Sequence, residues 1–178
     1  MMFEGRVCRL RAVEPGDVDV MYVWENDAEM WRVSSSTAPC SRQALAELVE
    51  SMRYDIYAAR QLRLIIESAD GEAVGAVDLY DFDPQNLNAG VGILVYSEQM
   101  RGRGYASEAL QMVERYAREV LHLHQLWCCV GAGNEASMAL FRSAGFEQVG
   151  VKREWRRTAE GYEDEIMFQK IIESKDNE

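Results

Sequence analysis

The stretch Gln99-Met100-Arg101-Gly102-Arg103-Gly104-Tyr105-Ala106 decides how this chain is read. Two glycines and an alanine stand between a strand-like run and the most regular amphipathic helix of the sequence. Small residues let a ligand come close to the main chain. The first N–H groups of a helix have no internal partner, and the helix dipole adds partial positive charge there. Such a turn is a ready site for an anion, a pyrophosphate above all. Arg101 and Arg103 add positive charge within a chain whose formal net charge is −11. The turn is not a P-loop, because no Gly-Lys-Ser/Thr follows, and the GxGxxG spacing of a dinucleotide fingerprint fails. A glycine turn that binds nothing is the plainer alternative at this point.

Working outward, residues 105–121 repeat apolar side chains at helical spacing, from Ala106, Ala109, Leu110 and Val113 to Tyr116, Ala117, Val120 and Leu121. Residues 125–130 are continuously apolar, as in a strand covered on both faces. Asn134 opens another helix, which ends at Gly145, a suitable residue just past a helix end. Strands follow at 146–154 and 163–171, across the turn Ala159-Glu160-Gly161. Upstream of the glycine turn, strand-like runs at 62–67, 73–80 and 88–96 are joined by Asp70-Gly71 and by Asp83-Pro84-Gln85-Asn86, which predicts an antiparallel meander. Earlier still, 7–13 alternates as a first strand. Pro15 with Asp17 and Asp19 starts a helix that should bury Val20, Val23 and Trp24. Ser41 caps a second helix with Ala44, Leu45, Leu48, Val49 and Met52 on its apolar side.

The predicted order is βααβββαβαββ. It describes an α/β (α+β) fold with one mixed sheet of about seven strands, in which 88–96 and 125–130 form a parallel pair around a crossover helix. Residues 1–172 are expected to be one domain and 173–178 a polar tail.

The 178 residues suit a single domain with a sizeable core, and 48% hydrophobic with 28% charged residues is ordinary for a globular chain. No signal peptide and no apolar run of membrane-spanning length is visible, so a cytoplasmic location and no membrane partner are expected. Cys8, Cys40, Cys128 and Cys129 show no framework spacing and are read as buried free thiols. Adjacent strand residues face opposite ways, so Cys128 and Cys129 cannot share a metal, and none is expected. The negative charge argues against a nucleic-acid partner and suits a cationic one.

With these elements placed, Arg101-x-x-Gly104-x-Ala106 resembles the Gln/Arg-x-x-Gly-x-Gly/Ala signature of the GNAT superfamily of N-acetyltransferases. The segment from Asn134 through Ser137, Leu140 and Phe141 to Gly145-Phe146 resembles that family's second cofactor segment. The resemblance spans 7–171 and looks most like the spermidine acetyltransferases and the ribosomal-protein alanine acetyltransferases. It implies acetyl-CoA as cofactor and transfer of its acetyl group to a primary amine. It also implies a strand ending at Leu94, Val95 and Tyr96 that splays from its parallel neighbour and takes the pantetheine arm. Backbone N–H groups of Arg101, Gly102, Arg103, Gly104, Tyr105 and Ala106, extending to Ser107, would hold the pyrophosphate. Asn134 would bond the pantetheine arm with Ser137 close by, Phe141 would lie near the thioester sulfur, and a homo-oligomer, dimer or larger, is implied.

Two departures stand out. Phe141 occupies the place where many members carry a tyrosine acid, and Ala89-Gly90-Val91-Gly92 holds no carboxylate where members often carry a glutamate base. Tyr96 or Tyr105 are alternative acids, and Asp78, Asp81, Asp83 or Glu98 alternative proton relays. His122 and His124 read as helix-end residues. Acidic residues gather at Glu25, Asp27 and Glu29, at Asp78, Asp81 and Asp83, and from Glu160 through Glu163 to Glu165. Of these, Glu25, Asp27 and Asp78 are the candidate acceptor-binding residues, with a polyamine as the favoured small-molecule amine. The alternatives are a protein N-terminus or another small amine as acceptor, or a CoA-binding sensor without turnover.

Overall fold

The computed structural model of the chain describes residues 2–34 and 38–172, so the polar tail expected at 173–178 lies outside the described residues. Seven strands form one sheet in the order β1-β2-β3-β4-β5-β7-β6. They are β1 (Cys8–Ala12), β2 (Leu62–Ser68), β3 (Ala73–Asp83), β4 (Asn88–Val95), β5 (Gln125–Gly131), β6 (Glu147–Thr158) and β7 (Gly161–Ile171). Every neighbouring pair is antiparallel except β4 and β5. Those two run parallel because α5 (Tyr105–Glu119) carries the chain back across one face between them.

The alternation of side chains along each strand divides the core in two. Leu64 and Ile66 of β2, Val77 and Leu79 of β3, Val91 of β4 and Leu126 of β5 pack with Ala109, Leu110, Val113 and Ala117 of α5. Phe141 of α6 (Glu135–Ser143) joins the same cluster. The intervening residues Ile65 and Ala76 meet Met21 and Trp24 of α1 (Val18–Glu25) and Leu45 and Val49 of α3 (Arg42–Ser51). Leu110 is fully buried, and its truncation to alanine would cost about 2–5 kcal/mol.

The helical arm between β1 and β2 departs from expectation. Pro15–Asp17 forms a 3₁₀ turn, so the α-helix proper begins only at Val18. The apolar stripe then falls on Met21 and Trp24, and Val23 is 51% exposed instead of buried. Two further short helices, α2 (Ala28–Ser34) and α4 (Ile56–Ala59), add to the predicted order. A single turn such as α4 has no room for a 3.6-residue repeat; its start is marked instead by Asp55, whose carboxylate accepts the Ala58 N–H at 2.9 Å. Ser41 caps α3 as expected, accepting the Ala44 N–H at 3.0 Å. Asp83 shapes the turn into β4 by accepting from the N–H groups of Gln85 and Asn86. Of the four free cysteines, Cys8 and Cys128 are buried, whereas Cys40 and Cys129 are only half-buried. Among the described residues no helix is long and apolar enough to cross a membrane.

Candidate active site at the splayed strands and the glycine turn

Parallel pairing between β4 and β5 is confined to Asn88–Gln125, Ala89–Leu126 and Gly90–Trp127. Beyond Gly90 the strands part. β4 continues to Val95 on β3, and β5 continues to Gly131 on β7. On the β3 side, the Leu94 carbonyl oxygen approaches Gly75 so closely that a Cβ there would stand 2.0 Å from it. Only glycine admits that approach. The gap is the floor of a cleft of about 1180 Å³, and Ile93, Leu94 and Val95 lie along it.

The glycine turn forms the next wall of the same cleft. Gly102 and Gly104 sit at φ +72° and +89°, a left-handed backbone that a side chain would strain. Gly104 caps α5 without offering a side chain, and the first intrahelical bond runs from the Glu108 N–H to the Gly104 carbonyl at 3.0 Å. The N–H groups of Tyr105, Ala106 and Ser107 therefore precede the helical ladder and stand at its positive end. Arg101 behaves differently from its neighbours. Its own N–H is turned inward onto the carbonyls of Ser97 and Glu98. Its guanidinium reaches back to the carbonyls of Val95 and Tyr96 at 3.2 and 3.3 Å and so staples the end of β4 to the turn. The Arg101 N–H is thus already taken. Arg103 is exposed on the turn.

Opposite, Gly133, Asn134, Ala136, Ser137 and Leu140 line the cleft. Asn134 caps α6, its side-chain oxygen accepting the Ser137 N–H at 3.1 Å. Phe141 is 2% exposed and packs edge-on against Phe146, with ring centroids 5.1 Å apart. Tyr105 faces the cleft from the start of α5.

Toward the helical arm, the acidic candidates separate. The guanidinium of Arg63 donates to both carboxylate oxygens of Asp78 at 2.7 and 3.0 Å and to Glu25 at 3.0 Å. Burial pulls the Arg63 pKa down, but Asp78 and Glu25 more than reverse this and hold it above the ordinary range. Glu25 and Asp78 are therefore spent on a protein cation, which their positions in sequence did not reveal. Asp27 accepts the Tyr96 hydroxyl at 3.0 Å and the Glu29 N–H at 2.8 Å. Burial and then Asp27 raise the Tyr96 phenol, so it stays protonated and donates to Asp27. Its ring leans on Trp24 at 6.0 Å. Asp83 is occupied with its own turn.

The stretch with no carboxylate has a structural counterpart. Tyr80 of β3 lies across Gly90, where a Cβ would meet its ring at 2.4 Å, and reaches Gly92 and Trp127. A larger residue at position 90 would evict that ring. Burial raises the Tyr80 phenol above its ordinary range, with the neighbouring Cys129 adding to it.

The remaining wall comes from the β6–β7 hairpin, through Arg156, Arg157, Glu160, Tyr162 and Glu163. Sequence reasoning placed Glu163 in an acidic run and overlooked Arg156; the only hint was Gly131 and Gly133, two glycines in one short loop.

Residues 8–147 match the family described as Acetyltransferase (GNAT) domain. The chain belongs to the GNAT acetyltransferase family. It is 29% identical over 164 residues to the SPbeta prophage-derived uncharacterized N-acetyltransferase YokL of Bacillus subtilis, covering 92% of this chain and 89% of that protein. It is 27% identical over 142 residues to the spermidine N(1)-acetyltransferase of Escherichia coli K12, covering 80% and 74%. The crystal structure of spermidine N-acetyltransferase from Vibrio cholerae in complex with CoA and spermine superposes with a TM-score of 0.84, 22% identity and coverage of 93% and 95%, which establishes a shared fold.

Membership makes this an acetyl-CoA-dependent N-acetyltransferase. The geometry is compatible with that donor: a cleft with an open strand edge at its floor and the uncapped start of a helix on its wall.

Proposed function

We propose that this GNAT protein acetylates a primary amine by direct attack within a ternary complex, and that the acceptor is a polyamine such as spermidine. The observation that carries the reading is the set of uncapped amides at the start of α5, opening on the same cleft as the splayed edge of β4. In this reading the N–H groups from Gly102 to Ser107 hold the pyrophosphate, and Gly104 keeps the approach clear. The open edge from Val91 to Val95 pairs with the pantetheine amides as an added strand would. Asn134 keeps its capping role while its remaining polar groups face the arm, with Ser137 beside it.

A main-chain N–H of the splayed β4 segment donates to the thioester oxygen as negative charge develops there. The amine, having lost a proton, forms the new C–N bond as the C–S bond breaks. Alkyl ammonium groups have pKa values near ~10.4, so that proton must leave first, through water at the cleft mouth. The acylated nitrogen sheds its second proton, and the departing thiolate, whose thiol pKa is near ~8.5, takes one up through water at the cleft mouth. Phenylalanine cannot supply a proton, so Phe141 packs and does not donate.

The polyamine acceptor is supported by likeness to the spermidine acetyltransferases and by the chain's net charge of −11. A second reading, cofactor binding without turnover, draws on Phe141 and on Tyr80 filling the space over Gly90. Thiol release from acetyl-CoA, measured with spermidine, a monoamine and a peptide N-terminus, separates these readings. Fastest release with spermidine is expected. A peptide outpacing every small amine would replace the polyamine as acceptor.

A further inference from the structure

We infer that Glu163 is the carboxylate that receives a cationic nitrogen of the acceptor, and that the loop glycines Gly131 and Gly133 exist to seat it. This rests on the N-acetyltransferase reading above and assigns the acceptor contact within it.

The carboxylates near the cleft differ in what they already bind. Glu25 and Asp78 are bound to Arg63 within 3.0 Å. Glu165 is paired with Lys152 at 2.9 Å. Asp164 accepts the Glu154 N–H at 2.8 Å on the hairpin. Asp27 is taken by the Tyr96 hydroxyl and the Glu29 N–H. Glu160 lies at the exposed hairpin tip. Glu163 is held less tightly than the paired ones, by a single loose ion pair to Arg156. It lines the cleft together with Leu94 and Val95, its side chain is 26% exposed, and it stands on a strand of the central sheet.

Its seat is specific. Oε2 accepts the Gly133 N–H at 3.0 Å, which fixes the carboxylate at the end of β5. Oε1 forms a loose ion pair with Arg156, 3.8 Å from its Nε and so beyond hydrogen-bond reach of that atom. A Cβ at Gly131 would stand 2.6 Å from Oε1 and 2.8 Å from Arg156 Nη1, and one at Gly133 would stand 3.0 Å from Oε2. At both positions, either side of Ala132, a side chain is missing where it would displace Glu163. A carboxylate offers about four acceptor positions, and one firm hydrogen bond leaves the others for a donor from the cleft. An ammonium group, with three donors and a full charge, matches that vacancy.

The first measurement is wild-type turnover of acetyl-CoA across a panel of mono-, di- and polyamines. No turnover with any of them would remove the acceptor reading itself. The best amine of that panel is then the probe for Glu163→Gln. Glutamine keeps an oxygen for the Gly133 N–H and loses only the charge, so a role limited to holding that loop would leave the kinetics unchanged. We expect KM for the amine to rise about 10- to 100-fold, the range for losing a hydrogen bond to a charged group, while KM for acetyl-CoA stays within about threefold. Glu163→Asp should recover part of the loss. An unchanged amine KM in Glu163→Gln, with wild-type turnover present, would overturn the inference and leave the acetyltransferase reading intact. A parallel rise in the acetyl-CoA KM would overturn it too, by showing that the residue serves the cofactor wall.

Discussion

Single residues carry the sharpest expectations. Gly104 combines a φ of +89° with a place on the cleft wall, so Gly104→Glu strains the turn and sets bulk and negative charge among the amides. Binding of acetyl-CoA, followed by calorimetry, should fall at least about 100-fold, given the repulsion and the lost amide contacts. Phe141 is the opposite case. Its side chain is buried to 2% against Phe146, so Phe141→Ala should cost about 3–5 kcal/mol in urea unfolding. A retained stability would mean that the ring does not hold the core together. The glycine turn was legible in the sequence as a turn, because small residues before a helical repeat are visible in one dimension. The pairing of Arg63 with Glu25 and Asp78 was not. Those residues are 38 and 15 positions away from Arg63, and only the fold brings them together. The pairing moves the acceptor candidates from the helical arm to the hairpin.

Elements were read where their period was long enough to declare itself. The switch from alternation in β4 to helical spacing in α5 located the parallel crossover. The single turn of α4 and the 3₁₀ entry to α1 left no such mark. What ties the elements together also escaped a linear reading. Glu108, one turn into α5, accepts the N–H groups of Arg6, Val7 and Cys8 and so moors the helix to the segment entering β1. Burial alone would raise its pKa, but these three bonds hold it below the usual carboxylate range. Glu67 is likewise held low, chiefly by hydrogen bonding to Arg11 and then by Arg9. Asp17 is held low against its burial by Arg11 and the Glu14 N–H. Each folded pKa lies below the unfolded value near ~4, so each contribution is complete above that value and is lost as pH falls through the folded one. Glu108→Gln should therefore melt below wild type at pH 7, and the gap should close in acid. Thermal melts at both pH values check this; a gap that persists in acid would assign the stabilisation to shape instead of charge. The close approach of β4 to β3 makes a separate demand: Gly75→Val pushes against the Leu94 carbonyl and should weaken acetyl-CoA binding even where the variant still folds.

At the scale of the whole molecule, one sheet with a core on each face opens where β4 and β5 part. Everything assigned to chemistry borders it: the open strand edge, the glycine turn, the Asn134 end of α6 and the β6–β7 hairpin. A ligand that bridges these walls must stabilise the fold as a unit. At a hundred times its dissociation constant, acetyl-CoA should add about 2.7 kcal/mol, which for a chain of this size is a melting shift of about 5–10 °C. Binding alone, however, does not distinguish an enzyme from a sensor, and the absence of a tyrosine at position 141 makes that distinction the central one. The most direct test mixes wild-type protein, acetyl-CoA and spermidine and follows free thiol together with the mass of the amine. The account predicts thiol release matched by an equal amount of acetylated spermidine, dependent on both reactants. A protein that binds acetyl-CoA, gains its thermal shift and yet releases no thiol with spermidine or any other amine would contradict it.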